Sequence, residues 1–169
     1  MSEANPANPT SPAAPRAKPK PKSARRRARE FAMQGVYQWL MTRDTVNNID
    51  RFLQGSTTHF SKCDEALYRA VLFGVIKDVG ALTKAIEPHV ERPLDEVSIV
   101  EMAVLYVSAY EIISIPETPY PVIINEAIEL CKTFGGSDGH RFVNGVLDKL
   151  AALVRADEFS AIAAKRRGA

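Results

Sequence analysis

Arg25, Arg26, Arg27 and Arg29 crowd the opening of a helical pattern that begins in "SARRRARE". Aligned peptide dipoles leave a helix N-terminus partly positive, so cations there are mildly unfavourable and an anion is welcome. At 100° per residue, Arg26, Glu30, Met33 and Tyr37 fall at i, i+4, i+7 and i+11, opposite a stripe at Ala28, Phe31, Gly35 and Trp39. Tyr37 is therefore expected to point away from the core. A tyrosine beside an arginine cluster offers a stacking surface next to phosphate-binding cations, the combination used on single-stranded nucleic acid. The same residues also fit a solvated charged face with one incidental tyrosine, and periodicity does not choose between the two.

A second cation–aromatic pair stands in "SDGHRFVNG". Core periodicity there uses Val143, Val146, Leu147, Leu150 and Val154, which leaves Arg141 opposite and Phe142 at the edge. Taken alone, this segment fits a structural role better: Asp138 as a helix cap, His140 on the surface and Phe142 packed on a neighbour. Asn125, Glu126 and Asn144 interrupt apolar helices and read as groups that bond the backbone inside a bundle or face a partner. Glu101 completes the capping-box pattern Ser98-x-x-Glu101 and also borders the apolar "MAVLYV" surface.

Enzyme chemistry has less support. Cys131 with His140 invites a nucleophile–base pairing and "FGGSDG" resembles a phosphate loop, but those glycines follow a helix where a phosphate loop follows a strand. Cys63 and Cys131 lack CxxC or Cys/His spacing, and His59, His89 and His140 are scattered, so no metal site, catalytic residue or cofactor is expected.

The elements that must position these groups are helical. In 169 residues, 46% hydrophobic and 25% charged with a net charge of +2, the basic character is local: before Arg29 and in the closing "KRRGA". Residues 1–22 interleave six prolines with alanine and lysine and read as a disordered basic leader. A helix from Ala28 carries an apolar or small stripe at Ala28, Phe31, Ala32, Gly35, Val36, Trp39 and Leu40. A shorter one follows, with Asp44 as cap and Val46, Ile49, Phe52 and Leu53 inward. A long helix is expected over 61–87, capped by Ser61 and stopped by Pro88, with Gly74 and Gly80 as weak points. "SIVEMAVLYVSAYEII" is broadly apolar and reads as the central helix. Pro121 opens and Gly135–Gly136 closes the helix after it, and Asp138 can cap the last. With no period-two strand, an all-α bundle is expected. The N-terminus lacks an apolar signal core and no run reaches the roughly 18 apolar residues of a membrane span, which suggests a cytoplasmic protein away from membranes.

"ARRRAREFAMQGVYQWL", "VEMAVLYVSAYE" and "YPVIINEAIELCKTFGGSDGHRFVNGVLDKL", in that order and spacing, resemble the NusB family of bacterial transcription antitermination factors from about Ala24 to about Leu153. The resemblance implies about seven helices in two small three-helix-like halves over residues 23–156, followed by a basic tail at 157–169. It also implies binding of boxA RNA in nascent ribosomal RNA transcripts together with NusE, a small-subunit ribosomal protein. The complex would include RNA polymerase, NusA and NusG and resist Rho-dependent termination. Arg25, Arg26, Arg27 and Arg29 match the family's arginine-rich RNA contacts, and Gln34 and Tyr37 continue that surface. Asp138, His140, Arg141 and Phe142 match a second RNA-facing segment, with Arg141 where a lysine is expected, and Glu101 matches a glutamate associated with NusE docking. The long leader departs from the compact family pattern. Two other readings stand beside this one. A NusB-like domain also opens certain ribosomal RNA cytosine methyltransferases, although no glycine-rich strand-to-helix unit follows here. The free protein is expected to be a monomer or a homodimer, the latter masking its RNA surface.

Overall fold

The computed structural model describes residues 22–136 and 138–168, which form eight α-helices and no strand. The expected disordered leader lies outside the described residues except for Lys22. α1 (Ala24–Thr42) starts at Ser23, whose hydroxyl accepts from the Arg26 amide, and ends at Arg43 in the left-handed conformation, its guanidinium 4.2 Å over the Trp39 ring. Ala28, Ala32, Gly35 and Val36 are buried as the stripe requires. Met33, expected on the outer face, is also buried at 2% exposure, because it sits at the margin of the stripe, one residue after the buried Ala32.

α2 (Val46–Ser56) is capped by Thr45, which accepts from the Asn48 amide. Asp44, the expected cap, instead accepts from the Thr45 amide and the Asn48 side chain. Ile49 and Leu53 are buried, but Phe52 turns outward at 61% exposure.

The long helix expected over 61–87 is broken. Residues Phe60–Lys62 form a 3-10 turn, and the carboxylate of Asp64, rather than Ser61, caps α3 (Glu65–Lys77) by accepting from the Leu67 amide. Asp78 leaves helical geometry at φ −105°, ψ 18°, and α4 (Val79–Ile86) restarts with Leu82 and Ile86 turned into the core. This break and a further helix at the C-terminus raise the six helices read from the stripes to eight, against the about seven that the resemblance implied.

α5 (Ile99–Ser114) is the central helix. Ser98 caps it, and buried residues from Ala103 to Ile112 cover almost its whole circumference. α6 (Tyr120–Phe134) opens with Pro121 in its first turn and stops at Gly135. α7 (Gly139–Val154) begins after Asp138, which occupies the cap position without a side-chain cap bond. α1, α2 and α3 form one half and α5, α6 and α7 the other, joined where α1 and α3 pack on α5. Close approach sets two glycines: a Cβ on Gly35 would stand 2.7 Å from Leu72 Cδ1, and one on Gly74 would collide with the Tyr110 ring. The segment read as a basic tail folds as α8 (Ala156–Arg167), none of whose residues is buried.

Candidate nucleic-acid interface

The arginine cluster divides as the turn of α1 dictates. Arg29 shares a face with Ala32, Met33 and Val36, and it enters the protein. Its side chain is 4% exposed and its guanidinium donates three hydrogen bonds of 2.9–3.2 Å to the Glu111 carboxylate, itself 1% exposed. The expectation that Arg29 contacts RNA is therefore corrected: it is the buried counter-ion of α5. The sequence signal was Glu111 in an otherwise apolar helix.

Arg25 and Arg26 remain at the surface with partners. Arg25 donates to Thr118 Oγ1 at 3.2 Å and lies 3.9 Å from Asp64. Arg26 forks onto both oxygens of Glu126 at 3.0 Å, a pairing that raises its pKa against a smaller desolvation effect. Glu126, read from sequence as a group that bonds the backbone inside the bundle or faces a partner, does neither: it is the surface brake on Arg26. Arg27 makes no ion pair among the described residues. Glu30, the acid on this face, is engaged by Lys22 at 2.8 Å.

Further along α1 the same face becomes apolar. Gln34, Tyr37, Gln38 and Met41 form one wall of a groove of about 630 Å³, closed by Phe52 from α2, Val100 from α5 and Phe134 from α6. Tyr37 and Phe134 are each 37% exposed and Met41 55%, and they share one groove, the grouping of apolar residues that marks a binding surface. Arg26 lies beside Glu126, and Tyr37 shares the groove with Phe134, so α1 and α6 run in the same direction along this face. Cations at one end lead into aromatic rings at the other.

The second segment begins at Asp138, four residues past Phe134. Arg141 is exposed, and the Phe142 ring, half-buried, carries the Arg92 guanidinium 4.0 Å above it. Arg92 also donates to Glu101 Oε2 at 3.1 Å, and a Cβ on Gly139 would stand 3.0 Å from Glu101 Oε1. The Glu101 carboxylate thus sits at the start of α7, where the helix dipole favours an anion. It joins the second segment through Arg92, and its side chain pairs there instead of returning to the Ser98 amide as a full capping box would. Val100 faces the α1 groove while Glu101 faces α7, so the opening turn of α5 separates the two candidate segments. His140 is half-buried and Asp138 exposed.

The nucleophile–base idea finds no support in the placement of Cys131. The thiol is 1% exposed, and burial pushes its pKa up to about 11, the reverse of activation. Among the described residues no group of three His, Cys, Asp or Glu could hold a metal ion, and no helix is long and apolar enough to cross a membrane.

The NusB family model matches residues 26–152. The chain belongs to the NusB family. The transcription antitermination protein NusB of Chromobacterium violaceum is 56% identical over 147 residues, 86% of this chain and 98% of that one. The NusB of Laribacter hongkongensis is 53% identical over 146 residues, 86% and 88% of the two chains. T. maritima NusB superposes with a TM-score of 0.71 at 26% identity, over 82% of this chain and 99% of that one. A crystal structure of antitermination factors NusB and NusE with double-stranded RNA shares the fold, with a TM-score of 0.65 at 17% identity over 74% and 93%. The family model ends at residue 152, before α8.

Sequence reasoning missed a pair beyond that match. The Arg155 guanidinium donates to the carbonyls of Glu111, Ile112, Ile115 and Thr118, closing the C-terminus of α5. Arg155 also donates to Glu158 at 2.7 Å, and Glu158 accepts from the Tyr120 amide at 2.9 Å, capping α6. An Arg-x-x-Glu spacing at the junction of two helices was the available signal. Phe52, Val100 and Phe134 carried none, since each joins the groove from a different helix.

Proposed function

We propose that this chain is a transcription antitermination factor that binds boxA RNA of nascent ribosomal RNA transcripts together with NusE. Through RNA polymerase, NusA and NusG it helps the polymerase resist Rho-dependent termination. It works as a binding protein, with no cofactor and no reaction of its own. The observation that carries this reading is the outer face of α1, where Arg25, Arg26 and Arg27 lead past Gln34 and Tyr37 into an aromatic groove, in a chain of the NusB family.

Arg25, Arg26 and Arg27 engage successive phosphates, which brings affinity and salt dependence. Tyr37 stacks on an unpaired base and Gln34 presents an amide to base edges, in the manner of single-strand recognition. Across the first turn of α5, Arg141 supplies the cation and Phe142 the ring of the second segment, with Asp138 and His140 beside them. Arg29 has no place in this contact set. Glu101 docks NusE at the edge of that segment, and its pairing with Arg92 keeps the carboxylate oriented.

The test is binding of boxA RNA with and without NusE, using wild type and Glu101→Lys. NusE is expected to tighten wild-type binding. Glu101→Lys is expected to weaken NusE association more than RNA binding by the isolated protein. A variant that loses thermal stability while its folded fraction binds NusE as wild type would reduce Glu101 to a helix-positioning residue.

A further inference from the structure

Beyond the family-matched region, α8 lies against α6 and α7 and closes one side of a groove of about 670 Å³. The floor is aromatic: the Tyr120 and Phe159 rings stack at 5.8 Å, and Ile162 lies beside them. The mouth carries two guanidiniums, Arg166 and Arg167, at the end of α8. On the other walls stand the exposed amides of Asn125 and Asn144, neither with a side-chain hydrogen bond among the described residues, and the carboxylate of Asp148.

We infer that this groove holds nucleotides of single-stranded RNA contiguous with the segment bound on α1. The inference rests on the RNA-binding function proposed above. Three observations select that occupant. The first is charge: two permanent cations at the mouth match phosphates. The second is the wall chemistry: two free amides each offer a donor and an acceptor to base edges, and Asp148 accepts from an exocyclic amine, whereas an acidic peptide would be repelled by Asp148 and gain little from the amides. The third is continuity: Arg25 of the α1 cluster bonds Thr118, two residues before Tyr120 at the groove floor, so the cluster and the groove meet at the same end of α6. The volume lies within the roughly 300–1,000 Å³ common for small-ligand sites. α8 thereby extends the RNA footprint beyond the residues that the family model matches, and Arg155 and Glu158 hold it where the groove can form.

The experiment compares two RNAs in a salt titration read by fluorescence anisotropy: a boxA oligonucleotide, and the same element lengthened by about four nucleotides at each end, the span allowed by so short a groove. The proteins are wild type, Arg166→Ala/Arg167→Ala and Asn144→Asp. In wild type the longer RNA is expected to steepen the log–log slope by about 1.4, the value for two added single-strand phosphate contacts. The double arginine variant should return the longer RNA to the slope of the shorter one and leave the shorter unchanged. Asn144→Asp should weaken only the longer RNA. Equal slopes for both RNAs on wild type, or an equal loss on both RNAs in the arginine variant, would overturn the groove assignment while leaving the α1 interface intact. Competition by an acidic peptide for the groove with no effect of the longer RNA would assign it to a protein partner. Failure of wild type to bind either RNA would instead overturn the proposed function itself.

Discussion

Arg29→Met removes one partner from an ion pair that solvent does not reach. Glu111 accepts three hydrogen bonds from Arg29, and its side chain is 1% exposed, so the variant strands a carboxylate that must protonate or draw in water. Breaking one side of such a pair costs about 3–5 kcal/mol. A domain of this size has roughly 5–15 kcal/mol in total, so the loss consumes a large share of the fold's stability. Arg29→Met/Glu111→Leu removes both charges together and is expected to recover most of the loss, because the desolvation penalty disappears with them. Urea unfolding of wild type, both single variants and the double variant forms a mutant cycle that isolates the coupling. The same proteins, held at a temperature where all stay folded, are then titrated with boxA RNA across salt. Arg29→Met is expected to keep the wild-type slope. A loss below about 1 kcal/mol, or a slope flattened by about 0.7 as for one lost phosphate contact, would refute the reasoning.

Glu126→Gln releases Arg26 from its competing carboxylate and is expected to tighten RNA binding several-fold at low salt, with the gain fading as salt screens it, measured by the same anisotropy titration. Gly74→Ala drives a methyl into the Tyr110 ring between α3 and α5 and should lower stability by about 1–3 kcal/mol in urea unfolding. Burial raises the Cys131 thiol to about 11, so the folded protein keeps that proton to higher pH than the unfolded chain. This contribution to stability is intact below the unfolded thiol's pKa and declines as pH rises from about 9 to about 11, by up to ~1.4 kcal/mol per unit; thermal melts of Cys131→Ala should lack that part of the decline.

The helical stripes were legible because local spacing decides them: Ala28, Ala32, Gly35 and Val36 had to be buried, and Tyr37 had to turn out. α5 was legible as the centre because no face of it was polar enough for water. The single helix over 61–87 failed at Asp64 and Asp78, where one carboxylate found a better capping position than Ser61 and the other marked a change of direction that tertiary packing of Leu82 and Ile86 favours. Arg29 was misplaced because an arginine run reads as surface, and the partner that draws it inward is 82 residues away. The apolar groove was hidden for a related reason. Its walls come from four helices, and Phe52 and Met33 exchange the positions their own stripes assigned them.

The central claim, that the outer face of α1 binds single-stranded RNA by separate phosphate and base contacts, is tested most directly by one salt titration of boxA RNA with wild type, Arg27→Ala and Tyr37→Ala. Both side chains lie on the outer face and both variants should remain folded. Arg27→Ala is expected to flatten the log–log slope by about 0.7, and Tyr37→Ala to leave the slope nearly unchanged while weakening binding by about 1–3 kcal/mol at every salt concentration. Wild-type affinity and slope in both variants would contradict the account.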